Sequence, residues 1–173
     1  MKYWLLVILL VPVSPLVAKD KKPVGYVLDG AALERVHSYC FDTHNLPPRE
    51  VKVISQFVAG ESKPTGLLAR LAWHRLPSCQ QGDPDAMVRP EFRPSPLTSV
   101  FMNRAIDGAL LVFRPGSPSP IYETREVLMT YTFDVDDAGF ATEGLERNAL
   151  YFAFQILVRD LQKLTETFRA AAS

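Results

Sequence analysis

The chain has 173 residues, of which 47% are hydrophobic and 22% are charged, the size and composition of one ordinary globular domain. The 19 Lys and Arg residues balance the 19 Asp and Glu residues. This balance provides no net field to attract a nucleic-acid backbone or an anionic membrane. The composition therefore excludes a disordered chain, and we expect no nucleic-acid partner.

Residues 1–18 have the pattern of a secretory signal peptide. Lys2 supplies a short positive start, residues 4–13 form an apolar run interrupted only by Pro12, and Ala18 fits the cleavage position. A membrane anchor is the alternative, but the run is far shorter than the roughly 20 residues that span a bilayer. We expect an exported chain, periplasmic or extracellular, that begins near Lys19 and has no membrane span.

Export changes how the two cysteines are interpreted, because thiols pair and stay paired in an oxidising compartment. The sequence predicts a disulfide between Cys40 and Cys79. Two inert free thiols are one alternative. A metal site is another, since His37, Cys40, His44, His74 and Cys79 lie within one short stretch, although their spacings differ from those of the common zinc motifs.

The first half of the mature chain predicts a mobile leader, a strand, a helix and a second strand. Residues 19–32 are basic and then turn-rich, which is typical of a leader, and residues 36–41 follow as a strand. Apolar residues then recur every three or four positions from Pro48 until Gly60, which predicts a helix with a glycine stop. Residues 67–76 are ambiguous between helix and strand, and we favour a strand.

The second half predicts three strands. Residues 86–93 alternate between apolar and polar, and Pro90 indicates an edge or bulged position. Residues 94–107 are expected to form a loop or a short helix. Residues 109–113 are apolar on both faces, which indicates a central strand, and a long strand with a period of two begins at Ile121.

The chain closes with the strongest helical pattern, for which Thr142 is the candidate N-cap. The helix is expected to pack its apolar stripe on one face of the long strand. The predicted stripe consists of Leu145, Ala149, Phe152, Ile156, Leu157, Leu161, Leu164 and Phe168, and the predicted strand face of Val127, Met129, Tyr131 and Phe133.

Together these elements predict one α+β domain over residues 33–170. We expect a two-layer sandwich in which a mostly antiparallel sheet of about five strands carries two helices on one face, the C-terminal helix being the longer. The other sheet face would then be open to solvent. Side chains predicted on that open face are Arg89, Glu91, Arg93, Thr130 and Thr132.

Several segments resemble a group of small secreted bacterial envelope proteins of unknown function. They are the run from Gly82 to Val88 after Cys79, the strand at 109–113, the pair beginning at Ile121, and the closing helix. The likeness covers about residues 33–168. It implies an α+β fold and a periplasmic or envelope setting, and it carries over no functional residue.

No nucleophile elbow, P-loop or dinucleotide-binding motif is present. The sequence therefore favours a non-enzymatic binding or accessory domain that needs no cofactor and binds an envelope protein or a small ligand through the open face. The alternative is a secreted hydrolase or metal-dependent enzyme that uses the cluster of histidines and cysteines described above.

The signal-peptide interpretation makes the first testable prediction. Intact-mass analysis of the exported protein should find a chain that begins near Lys19, because the apolar run and Ala18 direct cleavage there. Exported material that retains residues 1–18 and pellets with membranes would support an anchor instead.

Overall fold

The computed structural model describes residues 25–94, 103–132 and 140–171. Within these ranges the chain forms seven strands and three α-helices. In chain order they are β1 (Gly25–Val27), α1 (Gly30–Leu33), β2 (Ser38–Phe41), α2 (Pro48–Glu61), β3 (His74–Arg75), β4 (Ala86–Pro94), β5 (Asn103–Phe113), β6 (Pro120–Thr124), β7 (Val127–Thr132) and α3 (Phe140–Ala171).

The strands form one mixed sheet in the order β1-β6-β5-β4-β2-β3, with β7 also paired to β5. β2 runs parallel to both β3 and β4, whereas the pairings of β5 with β4, β6 and β7 are antiparallel. The predicted α+β class and the longer C-terminal helix are confirmed. The prediction of a mostly antiparallel sheet of about five strands is wrong, because α2 lies in a crossover that returns the chain parallel to β2.

Four short elements occupy regions where the sequence gives no periodic signal. β1 and α1 lie within the predicted leader, and β1 pairs with β6. In the ambiguous stretch at 67–76, Leu68–Arg70 forms a 3₁₀ turn and only His74–Arg75 forms a strand. Elements of two to four residues are too short to show alternation, so a periodicity argument does not detect them.

β5 is the central strand, as predicted for residues 109–113, and it extends back to Asn103 into the predicted loop. The predicted long strand from Ile121 is instead two strands, β6 and β7, which pair with successive halves of the same edge of β5. Thr124 lies at the break between them. Its buried hydroxyl accepts a hydrogen bond from the Leu110 N–H at 2.8 Å, and thereby satisfies a donor of β5 between the two strands.

Pro90 explains where one side of β4 loses its neighbour. β2 ends at Phe41, which pairs with Val88, and the Asp42 N–H extends the pairing by one bond to the Val88 carbonyl. Pro90 follows two residues later, with its ring nitrogen on the side where β2 has ended. The predicted edge position therefore holds for the second half of β4, whereas its first half lies between β2 and β5.

The core lies between the sheet and the two long helices. Phe154 of α3 is fully buried, and its ring centroid lies 5.4 Å from that of Phe41, 4.9 Å from that of Phe57 and 6.5 Å from that of Phe92. An added Cβ at Gly108 of β5 would lie 3.1 Å from the Phe92 ring and 3.3 Å from Leu157 of α3. The glycine therefore leaves room for both side chains.

The predicted stripe of α3 is wrong at three positions, because the helix is rotated relative to the prediction. Leu145, Phe152 and Ile156 are 39%, 52% and 37% exposed, whereas Ala149, Leu157, Leu161 and Leu164 are buried as expected. Residues two apart differ by about 200° around a helix, so burying Phe154 turns Phe152 outward. Val127 and Met129 pack against the core as predicted.

Some of the predictions for this region cannot be compared. Phe133 lies outside the described residues, and only the backbone of Tyr131 is described. The helix begins at Phe140, so Thr142 lies within its first turn and is not the N-cap. No helix in the described ranges is both long enough and apolar enough to cross a membrane.

The packing of α3 makes the second testable prediction. Phe154→Ala should cost about 3–5 kcal/mol of unfolding free energy, because it removes a ring from the centre of the core. Phe152→Ala, the matched variant two residues away, should cost less than about 1 kcal/mol. Urea unfolding of both variants measures the difference, and equal costs would contradict the rotated helix.

Candidate functional site

The two cysteines form the predicted disulfide. Cys40 lies in β2 and is fully buried, and Cys79 lies in the segment between β3 and β4. Their Cα atoms are 5.2 Å apart, within the range that a disulfide can bridge. The bond fastens the segment before β4 to the middle of β2.

The disulfide weakens the alternative of a hydrolase or metal-dependent enzyme that uses the histidine and cysteine cluster, because both thiols are oxidised. Neither sulfur is available as a nucleophile or as a thiolate ligand. His37 and His74 lie at one end of β2, where the His74 N–H donates to the His37 carbonyl at 2.7 Å, and His44 lies beyond the other end. All three side chains are exposed, and no group of three or more potential metal ligands occurs within the described ranges.

Three of the five residues predicted on the open face lie together along β4. Val88 and Pro90 are buried towards the helices, so Arg89, Glu91 and Arg93 project from the other side of the strand. Arg93 lies 3.4 Å from Glu91 in an exposed ion pair.

The two predicted threonines lie in β7, at the far side of β5 from β4. The register pairs Thr130 with Ala105 and Thr132 with Asn103, and only the backbones of these threonines are described. Leu128, which the sequence analysis missed, precedes them in β7 and is 44% exposed. The register aligns it with Asp107, which in turn aligns with Arg93.

Arg89 holds the inner part of this face in place. Its guanidinium donates two hydrogen bonds to one carboxylate oxygen of Asp42, at 3.0 and 2.8 Å, and lies 4.6 Å from the ring centroid of Phe113. The ion pair and the cation–π contact fix the side chain between β4, β5 and the loop after β2. Arg89 is therefore a structural support of the face, whereas Arg93 is its exposed charge.

Asp85 organises the opposite end of β2. Its carboxylate accepts hydrogen bonds from the backbone N–H groups of His37 and Ser38 and from the Ser38 hydroxyl, at 2.8–2.9 Å. Desolvation raises the pKa of this carboxyl, but the combined hydrogen bonds from His37 and Ser38 outweigh it, so the pKa lies below its ordinary value. These hydrogen bonds to the Asp85 carboxylate join β2 to the start of β4, so the role of Asp85 is structural.

A cleft of about 410 Å³ opens where the second half of β4 has no neighbouring strand. Its apolar walls are Leu46 and Pro47 from the loop before α2, together with Pro90 and Phe92 from β4. Glu50 of α2 also lines the cleft and is only 7% exposed. The sequence analysis missed this residue, because a single acid in the first turn of a helix is ordinarily explained by the helix dipole.

Glu50 lacks the backbone N–H that often pairs with a glutamate at this helical position. A glutamate at the third helical position often accepts a hydrogen bond from the N–H of the N-cap residue, but the N-cap of α2 is Pro47, which has no N–H. No hydrogen bond joins the Glu50 carboxyl to another described residue. Burial raises the pKa of this carboxyl, nearby Arg49 opposes the rise, and Glu146 adds to it.

Comparison with known proteins gives no family for the chain: no family model and no curated protein matches it. Among solved structures it is similar to a minor lipoprotein from Acinetobacter baumannii, with 8% identity over 74% of this chain and 94% of that one and a TM-score of 0.48. A protein described as a lipoprotein from Caulobacter crescentus has 12% identity over 83% and 96% of the respective chains and a TM-score of 0.44. The PelC dodecamer from Paraburkholderia phytofirmans has 11% identity over 80% and 92% and a TM-score of 0.39. Similarities at this level carry no argument about what this chain does.

The disulfide makes the third testable prediction. Its reduction should lower the unfolding free energy by about 3 to 4.7 kcal/mol in the chain-entropy model, because the unfolded chain regains the freedom of a long loop. Urea midpoints of the oxidised and reduced proteins measure this loss, and amide NMR spectra should retain the same strand pairing. Identical midpoints would contradict a stabilising bridge.

Proposed function

We propose that this chain is an exported, non-enzymatic accessory domain of the bacterial envelope, and that it binds an envelope protein through the open face of its sheet. Two features support export: the signal-like pattern of residues 1–18, and the disulfide between Cys40 and Cys79, a bond that is common in oxidising compartments and rare in the cytosol. The residues between the cleavage site and β1 would lead into the domain.

The observation that carries the binding proposal is the one-sided covering of the sheet. α2 and α3 share the core on one face, and along the β4–β5–β7 row no described element covers the other. That row presents the exposed ion pair of Arg93 with Glu91, half-buried Asp107 and exposed Leu128. Charged groups around an exposed apolar side chain provide the mixed chemistry of transient protein interfaces. Arg89, which is held by Asp42 and Phe113, lies on the same side of β4. Thr130 and Thr132 would extend the surface along β7.

The joined cysteines argue against the alternative of a secreted hydrolase or metal-dependent enzyme. That alternative needs the sulfur atoms of Cys40 and Cys79, and a disulfide supplies neither a thiolate nucleophile nor a thiolate ligand. The open face therefore remains the better supported basis for function.

A pull-down experiment provides the fourth testable prediction. The mature protein, immobilised and exposed to an envelope fraction from its source cells, should retain a partner that Arg93→Glu loses, because the reversal places three acidic side chains in one row. Arg114→Glu, a reversal at an exposed site beyond the end of β5, is the matched control and should retain the partner. Equal capture by the two variants would show that the partner does not use this face.

A further inference from the structure

We propose that the cleft beside β4 binds an aliphatic ammonium group, such as a lysine side chain or a small alkylamine, through Glu50. The cleft borders the open face along Arg89, Glu91 and Arg93, but its acid, Glu50, comes from α2. It lies at the edge of the sheet where β2 has ended, between the loop before α2 and the second half of β4.

Glu50 has the only uncompensated charge among the described residues of the cleft. Arg49 lies 2.7 Å from Glu146, and Arg93 lies 3.4 Å from Glu91. The third nearby cation, Arg89, pairs with Asp42 at 2.8 Å. Each of these arginines is thus matched by a carboxylate other than that of Glu50.

Glu50 is largely buried as a residue, and its carboxyl has no hydrogen-bond donor among the described residues. The residue is 93% buried, since its exposed fraction is 7%, and the proline at the N-cap of α2 removes the backbone N–H that would ordinarily reach it. The carboxyl oxygens of Glu50 are not among the fully buried atoms that lack a partner, so they open into the cleft. A ligand that places a cationic donor there would offset the desolvation that raises the pKa of this carboxyl.

The shape of the ligand follows from the rest of the lining. Its apolar part matches methylene groups and consists of Leu46, Pro47, Pro90 and Phe92. The remainder is Asn45 and the ion-paired Arg89, Glu91 and Arg93. A volume of about 410 Å³ lies within the range of small-molecule sites. A short aliphatic stem that ends in an ammonium group satisfies both the walls and the acid.

NMR titration of the folded protein tests the proposal. The cationic probe is Nα-acetyl-lysine methylamide, and the neutral control is the same molecule with its ε-amine acetylated. The cationic probe should bind saturably and shift the amide resonances of Asn45, Glu50 and Phe92, and the acetylated probe should not. Equal shifts with both probes, or no saturable binding of the cationic one, would overturn the proposal.

Two variants isolate the role of the buried carboxyl. Glu50→Gln keeps the size of the side chain but removes its charge, and it should weaken binding of the cationic probe about tenfold or more. Glu126→Gln removes an exposed carboxylate between β6 and β7, on the other side of β5 from the cleft, and it should change binding less than about threefold. Equal losses in the two variants would indicate only a diffuse attraction and would contradict a Glu50 site.

Thermal unfolding of the free protein provides an independent readout. The charged groups near Glu50 are Arg49 on its own helix, Glu146 on α3, and Arg89, Glu91 and Arg93 on β4. Because burial disfavours the Glu50 carboxylate, its folded pKa exceeds its unfolded one, and stability falls as pH rises through that interval. Glu50→Gln should therefore raise the Tm at neutral pH and leave it unchanged at acid pH. A lower Tm at neutral pH would place the carboxylate in a stabilising contact and overturn the proposal.

The source of the ammonium group is decided by comparing the lysine probe with n-butylamine, which has the same stem without the backbone. Tighter binding of the lysine probe would identify a lysine of a protein or peptide as the ligand. Tighter binding of n-butylamine would identify a free amine. Arg93 also lines the cleft, so Glu50→Gln, which leaves the charges of the open face unchanged, is the variant that separates the two proposals: it should lose the cationic probe and retain the partner in the pull-down.

Discussion

The packing of one aromatic ring connects most of the elements of this fold. Phe154 brings α3 into contact with Phe41 of β2, Phe57 of α2 and Phe92 of β4. Since all three contacts lie on the same side of the sheet, both long helices share that side. The asymmetry of the molecule, with one covered face and one open face, follows from this arrangement. The face proposed for binding is therefore a consequence of where the core lies.

Local patterns in the sequence were enough to predict α2, the central strand and the disulfide. Each depends on a signal that a short window contains: helical spacing after two prolines, an apolar run at 109–113, and a pair of cysteines in a chain with a signal-like start. The predicted glycine stop is wrong, because α2 continues through Gly60 to Glu61. The break between β6 and β7 was missed because Thr124 conceals it by satisfying a backbone donor with its side chain. When a side-chain hydroxyl takes the place of a backbone carbonyl as hydrogen-bond acceptor, the alternation of apolar and polar residues does not change.

The orientation of α3 could not be predicted because its apolar residues extend around more than one face. Leu145, Phe152 and Ile156 form one row, and Phe154, Leu157 and Leu161 belong to another. Both rows have helical spacing, so hydrophobicity alone does not choose between them. Contact with Gly108 and the surrounding rings chooses the second row, and those contacts involve strands far away in sequence.

The cleft illustrates a different limit of sequence reasoning. That Pro47 cannot donate to Glu50 is readable from the sequence once the helix start is known. That every nearby arginine already has a carboxylate partner depends on the packing of α2, α3 and β4. Whether a charge lacks a partner depends on every charged side chain around it, and these positions are known only from the folded structure.

The disulfide also changes the distance along the chain between the two strands that pair in parallel. Tyr39 in β2 and Ala86 in β4 are partners in the sheet, and in the reduced chain the whole α2 crossover separates them. Once Cys40 is joined to Cys79, the shortest covalent path between the strands passes through the sulfur atoms and leaves only the few residues after Cys79 to be ordered. A pairing of high contact order then becomes a nearly local one, and such pairings form faster. An oxidising compartment would thus influence the order in which this sheet assembles as well as its final stability.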